Sequence, residues 1–217
     1  MVSFPSQAQE ATWNAQTSGT GKELVARAIH TNSSRTNKPF ITVNSGSLAQ
    51  ASFEATLFGH VQDAFPGATS VKKGLCDMAD KGTIFFDEIA KVPLETQAKL
   101  MRVMEEREFL RLGGMDAIKT DVRVIAATNC DLRQLVKDGH FREDLYYRLA
   151  VFPVTIPPLR ERKEDIPSLT AHFIEKYKNE FDKDILSITS EAMSLLSNYF
   201  WPGNVRQLGN VIYQAMI

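Results

Sequence analysis

Apolar residues form two kinds of run along this chain. Thr83-Ile84-Phe85-Phe86 and Val122 to Ala127 are short and continuous, the pattern of strands covered on both faces of a parallel sheet. Phe40 to Val43, after Pro39, and Val151 to Ile156 also read as strands. Between them the spacing becomes helical. Leu24, Val25, Ala28 and Ile29 make one stripe, and Leu94, Ala98, Met101 and Met104 make another, opened by Pro93. Residues 47–60 read as helix, and Leu132 to Asp138 as a short helix stopped by Gly139. Residues 61–75, with Pro66, Gly67 and Gly74, read as an exposed loop. This alternation predicts an α/β fold: a three-layer domain with a mostly parallel sheet.

Pro157-Pro158 breaks the alternation. Beyond it the pattern is all helical, over 166–180, 190–199 and 205–217, with Asp165 and Asn204 as expected N-caps. The expected organisation is an irregular segment over 1–16, an α/β part over 17–157 and a helical lid over 158–217.

Composition narrows the function classes. The 217 residues are 43% apolar and 24% charged, which suits one domain with a small appendage. The formal net charge of -1 lacks the basic excess of a compact nucleic-acid binder, so no direct DNA contact is expected. Cys76 and Cys130 make neither a disulfide framework nor a four-ligand metal site. Reduced thiols imply a cytoplasmic protein. No apolar run nears the roughly 18 residues of a membrane span, and no secretory signal opens the chain.

Four segments carry candidate chemistry. Ser18-Gly19-Thr20-Gly21-Lys22-Glu23 has the glycines and lysine of a phosphate-binding loop entering a helix. Gln16 stands where such loops begin with glycine. Without other motifs, this segment reads equally well as a plain helix-capping loop. Asp87-Glu88 ends a buried strand, at the sheet edge where α/β domains bind ligands. One carboxylate there can hold Mg²⁺, and the next can act as general base. Asn129 ends the Val124 strand, as a water-positioning amide or as a turn residue. Arg142 and Arg148 lie six apart, either in an exposed, salt-bridged helix or as cations for a transferring phosphoryl group.

Longer motifs connect these segments. Phe141-Arg142-Glu143-Asp144-Leu145-Tyr146-Tyr147-Arg148-Leu149 resembles the arginine-finger segment of the sigma-54-dependent bacterial enhancer-binding proteins, which are transcription activators of the AAA+ class. Pro157-Pro158-Leu159-Arg160-Glu161-Arg162 and Trp201-Pro202-Gly203-Asn204-Val205-Arg206-Gln207-Leu208 are similar to that family's later signatures, and Leu57-Phe58-Gly59-His60 leads into its moving loop. The resemblance covers residue 18 onward. It implies ATP and Mg²⁺ as cofactors. Ser18 to Glu23 would bind the phosphates, with Lys22 on the charge. Asp87 would serve the metal and Glu88 would activate water. Asn44 would pair with that glutamate and switch it off, and Asn129 would be the first sensor. Arg142 and Arg148 would act on the next subunit's ATP, and Arg206 would sense the nucleotide of its own subunit. A homo-oligomeric ring, a hexamer, and the sigma-54 RNA polymerase holoenzyme are the implied partners.

Departures from the family pattern leave alternatives. The moving loop, normally Gly-Ala-Phe-Thr-Gly-Ala, reads Asp63-Ala64-Phe65-Pro66-Gly67-Ala68, with Phe65, Pro66 and Gly67 at its tip. The family places a buried strand before the phosphate loop, and residues 9–16 do not read as one, so a sheet lacking a central member is expected. Gly209 stands where the family has glutamate. Neither a receiver domain nor a helix-turn-helix is legible, and the chain stops inside a lid helix, as a fragment would. Three functions are therefore weighed: an ATPase that remodels sigma-54 polymerase, a degenerate non-enzymatic AAA+ fragment that associates with homologues, and another phosphate-loop class. The finger and loop motifs speak against the third.

Overall fold

The computed structural model describes residues 10–13, 18–46, 50–181 and 188–217. In chain order the elements are β1 (Glu10–Trp13), α1 (Lys22–Thr31), β2 (Phe40–Asn44), α2 (Gln50–Phe58), β3 (Gly59–His60), β4 (Lys72–Lys73), α3 (Leu75–Met78), β5 (Thr83–Asp87) and α4 (Leu94–Glu105). There follow β6 (Glu108–Leu110), β7 (Ala117–Lys119), β8 (Arg123–Thr128), α5 (Leu132–Lys137), α6 (Glu143–Leu149), β9 (Phe152–Thr155), α7 (Ile166–Phe181), α8 (Ser190–Asn198) and α9 (Asn204–Met216). Two compact units result: residues 23–155 with β1, and residues 18–22 with 156–217.

The first unit is built on a five-stranded sheet of order β2-β5-β8-β1-β9, parallel throughout. The continuous apolar runs behave as their pattern predicts. Ile84 and Phe86 of β5, with Val124 and Ala126 of β8, face one core with residues of α2, α4, α5 and α6. Phe85, Ile125 and Ala127 face the other, beneath Ala26 and Ile29 of α1. Alternate residues of a strand point to opposite faces, so only a sheet covered on both sides buries every one.

The expectation of a missing central strand is corrected. Within the segment read as irregular, Glu10–Trp13 runs parallel between β8 and β9, with Glu10 opposite Ile125 and Phe152, and Trp13 opposite Thr128 and Thr155. Local sequence hid this strand because the polar-apolar alternation of Glu-Ala-Thr-Trp lasts only four residues, too short to establish a period. The backbone ladder offered by both neighbours selects it. Gln16 and residues 47–49 lie outside the described residues.

The α1 stripe is also corrected. Leu24 is exposed, while Ala26, Ile29 and His30 are buried. His30 Nδ1 meets Thr83 Oγ1 at 2.9 Å, and burial holds its pKa below the ordinary imidazole value. The buried face is thus turned by a polar contact that hydrophobicity alone does not register.

Leu159, Ile166, Trp201, Leu208, Ile212 and Met216 form the core of the second unit. Thr189 caps α8 by accepting from Ala192 N. The two expected caps act otherwise. Asn204 has φ +52, and its Oδ1 accepts from Leu159 N at 2.9 Å instead of from α9. Asp165 ends a 3-10 turn before α7, 3.4 Å from Arg162.

Gly209 lies buried in mid-helix, where glycine costs about 1 kcal/mol relative to alanine. Its reason is contact: a Cβ there would stand 2.9 Å from Phe173 Cε1 on α7. Glutamate at this position would wedge the two helices apart and bury a charge. Gly209→Glu should lower the melting temperature by roughly 5 °C. A thermal scan showing no loss would mean that Phe173 simply swings aside.

Candidate functional site

Parallel strands bring their C-terminal ends to one edge, and in the first unit that edge gathers four of the expected residues. Asn44, last of β2, is in register with Asp87, last of β5, and Ser45 N donates to Asp87 O at 3.0 Å. Asn129 follows β8, the strand paired to β5 on its other side. Glu88 then turns the chain with φ +59 and ψ +50, a left-handed residue before a 3-10 turn at Ile89–Lys91. Non-glycine residues rarely adopt that conformation, and where they do the strain clusters at functional sites.

The Glu88 carboxylate is ion-paired with the Lys91 ammonium, which raises the lysine's pKa through that hydrogen bond first. It also lies against the β2 exit. A Cβ on Gly46 would be 2.6 Å from Glu88 Oε2, so a side chain there would displace the carboxylate from this position. Asn44 Oδ1 accepts from Gly46 N at 3.0 Å and shapes the same turn. Cys130 Sγ donates to Asn129 Oδ1 at 3.4 Å, and Cys130 N donates to Thr128 Oγ1. The edge therefore presents two carboxylates and two amides on short, internally bonded turns. A carboxylate and an amide so placed can take a proton from a water and orient it.

The second unit holds the phosphate-loop residues. Gly19 and Gly21 have φ +78 and +99. Three consecutive carbonyls are taken by residues of the lid: Asn204 Nδ2 donates to Ser18 O at 3.0 Å, Arg206 N to Gly19 O at 3.2 Å, and Arg162 Nη2 to Thr20 O at 2.7 Å. Arg206 Nη1 also reaches Ser18 Oγ at 3.1 Å. In a trans peptide the next N–H points opposite to the carbonyl. The N–H groups of Gly19, Thr20 and Gly21 are therefore aimed away from the lid, as an anion cradle requires. A Cβ on Gly19 would be 2.7 Å from Gly203 O, which explains that glycine by approach as well as by φ. Lys22 is the first residue of α1. Glu23 points elsewhere, pairing with Arg27 one turn on at 2.8 Å.

Arg142 and Arg148 are both fastened to α4. Arg142 is the extended N-cap of α6 and not a helical residue, because buried Gln97 accepts from its N–H at 2.8 Å. Its guanidinium pairs with Asp144 at 2.7 Å, which raises its own pKa and lowers that of Asp144. Arg148, in the last turn of α6, donates to Met104 O at 3.3 Å. Gln97 and Met104 are seven residues apart on α4, or roughly 10 Å.

The surface loop rises between β3 and β4. Phe65-Pro66-Gly67-Ala68 closes a turn, with Ala68 N donating to Phe65 O at 2.9 Å and Gly67 at φ +98. Proline second and a positive-φ glycine third is the type II pattern. Phe65 is 39% exposed and meets His60 edge-on at 5.0 Å. Asp63, in the family's glycine position, has φ +61. Below it, Leu112 pairs with Gly59 and Val61, and a Cβ on Gly113 would be 2.9 Å from Ala64 Cβ.

Two contributors escaped the sequence reading, Lys91 and Gln97, and Arg162 was read only as part of a signature; each acts by holding another site residue. Gln97 left a local signal, as an amide inside an apolar helical stripe.

The family model for the Sigma-54 interaction domain matches residues 13–155, and that for the AAA+ ATPase lid domain matches residues 160–217. The regulatory protein AtoC of Escherichia coli is 53% identical over 92% of this chain and 43% of its own length. The nitrogen fixation protein VnfA of Azotobacter vinelandii is 51% identical over 92% of this chain and 38% of its own length. The chain thus spans less than half of either relative. The crystal structure of NtrX from Brucella abortus superimposes with a TM-score of 0.89 at 40% identity, covering 98% of this chain and 47% of that one. NtrX in complex with ATP gives a TM-score of 0.88.

Proposed function

As the chain belongs to the Sigma-54 interaction domain family and carries the AAA+ lid, we propose that it binds and hydrolyses ATP and uses the cycle to remodel sigma-54 RNA polymerase. The register of Asn44 with Asp87, with Glu88 turned against the same β2 exit, supports hydrolysis most directly. Ser18 to Gly21 and Lys22 bind the phosphates through oriented N–H groups and the ammonium. Asp87 fits as the holder of Mg²⁺, which supplies positive charge against the β- and γ-phosphates when bound. Glu88 accepts a proton from the attacking water, and Asn129 orients that water. Asn44 governs when Glu88 is free to do so. Arg206 reads the nucleotide from the lid. Arg142 and Arg148 neutralise charge on the nucleotide of a neighbouring copy in a ring.

Hydrolysis by a ring rises more steeply than linearly with protein concentration. Phosphate release measured from nanomolar to high micromolar protein should show that rise. A turnover number independent of concentration excludes the trans arrangement, and no turnover at any concentration rejects the enzymatic reading.

The loop tip is where sigma-54 polymerase would be engaged, with Phe65 as the aromatic anchor. Pro66 stiffens the turn but lacks the family threonine's hydroxyl. Pro66→Thr should tighten binding to sigma-54 by about ten-fold, the scale of one hydrogen bond. Equal affinity of the two proteins in a binding titration would remove the hydroxyl from the explanation.

A further inference from the structure

Asn204 opens α9 fully buried, with φ +52. A buried amide needs a partner at both ends. Here both partners are backbone groups distant in the chain: Oδ1 accepts from Leu159 N at 2.9 Å, and Nδ2 donates to Ser18 O at 3.0 Å. An N–H on one side and a carbonyl on the other fix which way the amide faces. The preceding turn sets the backbone. Asn204 N donates to Trp201 O at 2.9 Å across Pro202-Gly203, and the buried Trp201 anchors that turn by donating its indole N–H to Leu196 O at 2.7 Å. The phosphate loop lies against it, since a Cβ on Gly19 would also be 2.9 Å from Arg206 Cβ.

The two amide bonds reach the loop by separate routes. The bond to Ser18 O sets the Ser18–Gly19 peptide plane, and with it the direction of the Gly19 N–H. The bond to Leu159 N holds the 3-10 turn Leu159–Glu161, which ends on Arg162. Arg162 N donates to Leu159 O at 3.1 Å, and its guanidinium holds Thr20 O, which sets the Gly21 N–H. The Thr20 N–H, between them, is set by the Arg206 N–H on Gly19 O. One lid side chain thus stands behind two of the three oriented peptides, and it acts on them through backbone atoms, whatever the loop's side chains. Asparagine suits the place for chemical reasons. It enters the left-handed region more readily than most L-residues. Aspartate lacks the donor, and glutamine is a methylene longer.

We propose that Asn204 is a positioning residue for phosphate binding, one that keeps the loop N–H groups aimed at the anion without touching it. The role rests on the reading of Ser18 to Lys22 as the phosphate site. It makes the shape of the loop a property of the lid. A loop released from Asn204 keeps its glycines and its lysine but loses their direction.

Asn204→Asp keeps the acceptor for Leu159 N and tolerates the left-handed backbone, but removes the donor to Ser18 O. In the nucleotide-free chain, amide exchange followed by NMR should leave the Leu159 N–H protected and speed the Arg206 N–H by about ten-fold. ADP titrated calorimetrically into this variant should bind about ten-fold more weakly, the scale of one hydrogen bond. Asn204→Gly adds no charge, keeps the backbone conformation and loses both bonds, so it should weaken ADP at least as much. Equal ADP affinity in the parent and Asn204→Asp overturns the proposal, as does unchanged exchange at Arg206. Weakening by aspartate but not by glycine overturns it too, because charge and not position is then the cause. If Asn204→Gly unfolds the lid in a thermal scan, the exchange and ADP results on Asn204→Asp decide. A parent chain that binds no ADP removes the phosphate site itself and this role with it; a parent that binds, with a variant that binds equally, removes Asn204 alone.

Discussion

Glu88→Gln should reduce ATP turnover by at least about 100-fold and leave nucleotide affinity within about two-fold. The carboxylate has a defined place: φ +59 after β5, the Asn44–Gly46 turn on one side and the Lys91 ammonium on the other. Glutamine keeps the length and planarity of the side chain, so the turn is preserved, but it cannot accept a proton from water. The Lys91 pair is exposed on the lysine side and contributes little to stability, so its loss should not move the melting temperature. Steady-state phosphate release and a nucleotide titration on one preparation separate binding from chemistry. A variant retaining a tenth of parental turnover would remove Glu88 from the role of base.

Arg148→Ala, or Arg142→Ala, should cost about 10³-fold in turnover, the scale of a cation supplied to a transferring phosphoryl group. The result that identifies a trans role is complementation. Copies with Arg148→Ala keep the base, and copies with Glu88→Gln keep both arginines, so mixing the two inactive proteins should restore part of the activity. Mixtures as inactive as their components would place the arginines at their own subunit's nucleotide, or outside the chemistry. Arg142→Ala has a second, smaller consequence. Arg142 holds the Asp144 pKa below the ordinary carboxylate value. A depressed folded-state pKa stabilises above the unfolded pKa, about 4, and the benefit fades as pH falls through the folded value. The variant should lose that acid-side dependence, which solvent exposure keeps small.

Much of this protein was legible because its informative residues are local. The runs at Thr83 and Val122 announce doubly covered strands through continuity alone. The acid pair, the glycine-lysine loop and the two arginines are contiguous motifs. What was missed depends on partners distant in sequence. Glu10–Trp13 alternates for only four residues, too few to announce a strand, and is placed in the sheet by its ladders with β8 and β9. Gly209 reads as a helix defect until Phe173 is seen 2.9 Å from its missing Cβ. Asn204 reads as a cap, yet its amide bonds Leu159 and Ser18, 45 and 186 residues away.

The sequence alone determined the family, the α/β sheet with its helical lid, and the chemical types available: two carboxylates, two amides, a phosphate loop and paired arginines. Periodicity and short motifs encode these, and both survive without knowledge of the fold. Only the tertiary structure decided orientation. The lid residues turn three loop carbonyls and thereby aim the N–H groups. The β2 exit brings Gly46 against the Glu88 carboxylate. Direction and proximity arise from packing between segments far apart along the chain, which no local pattern records.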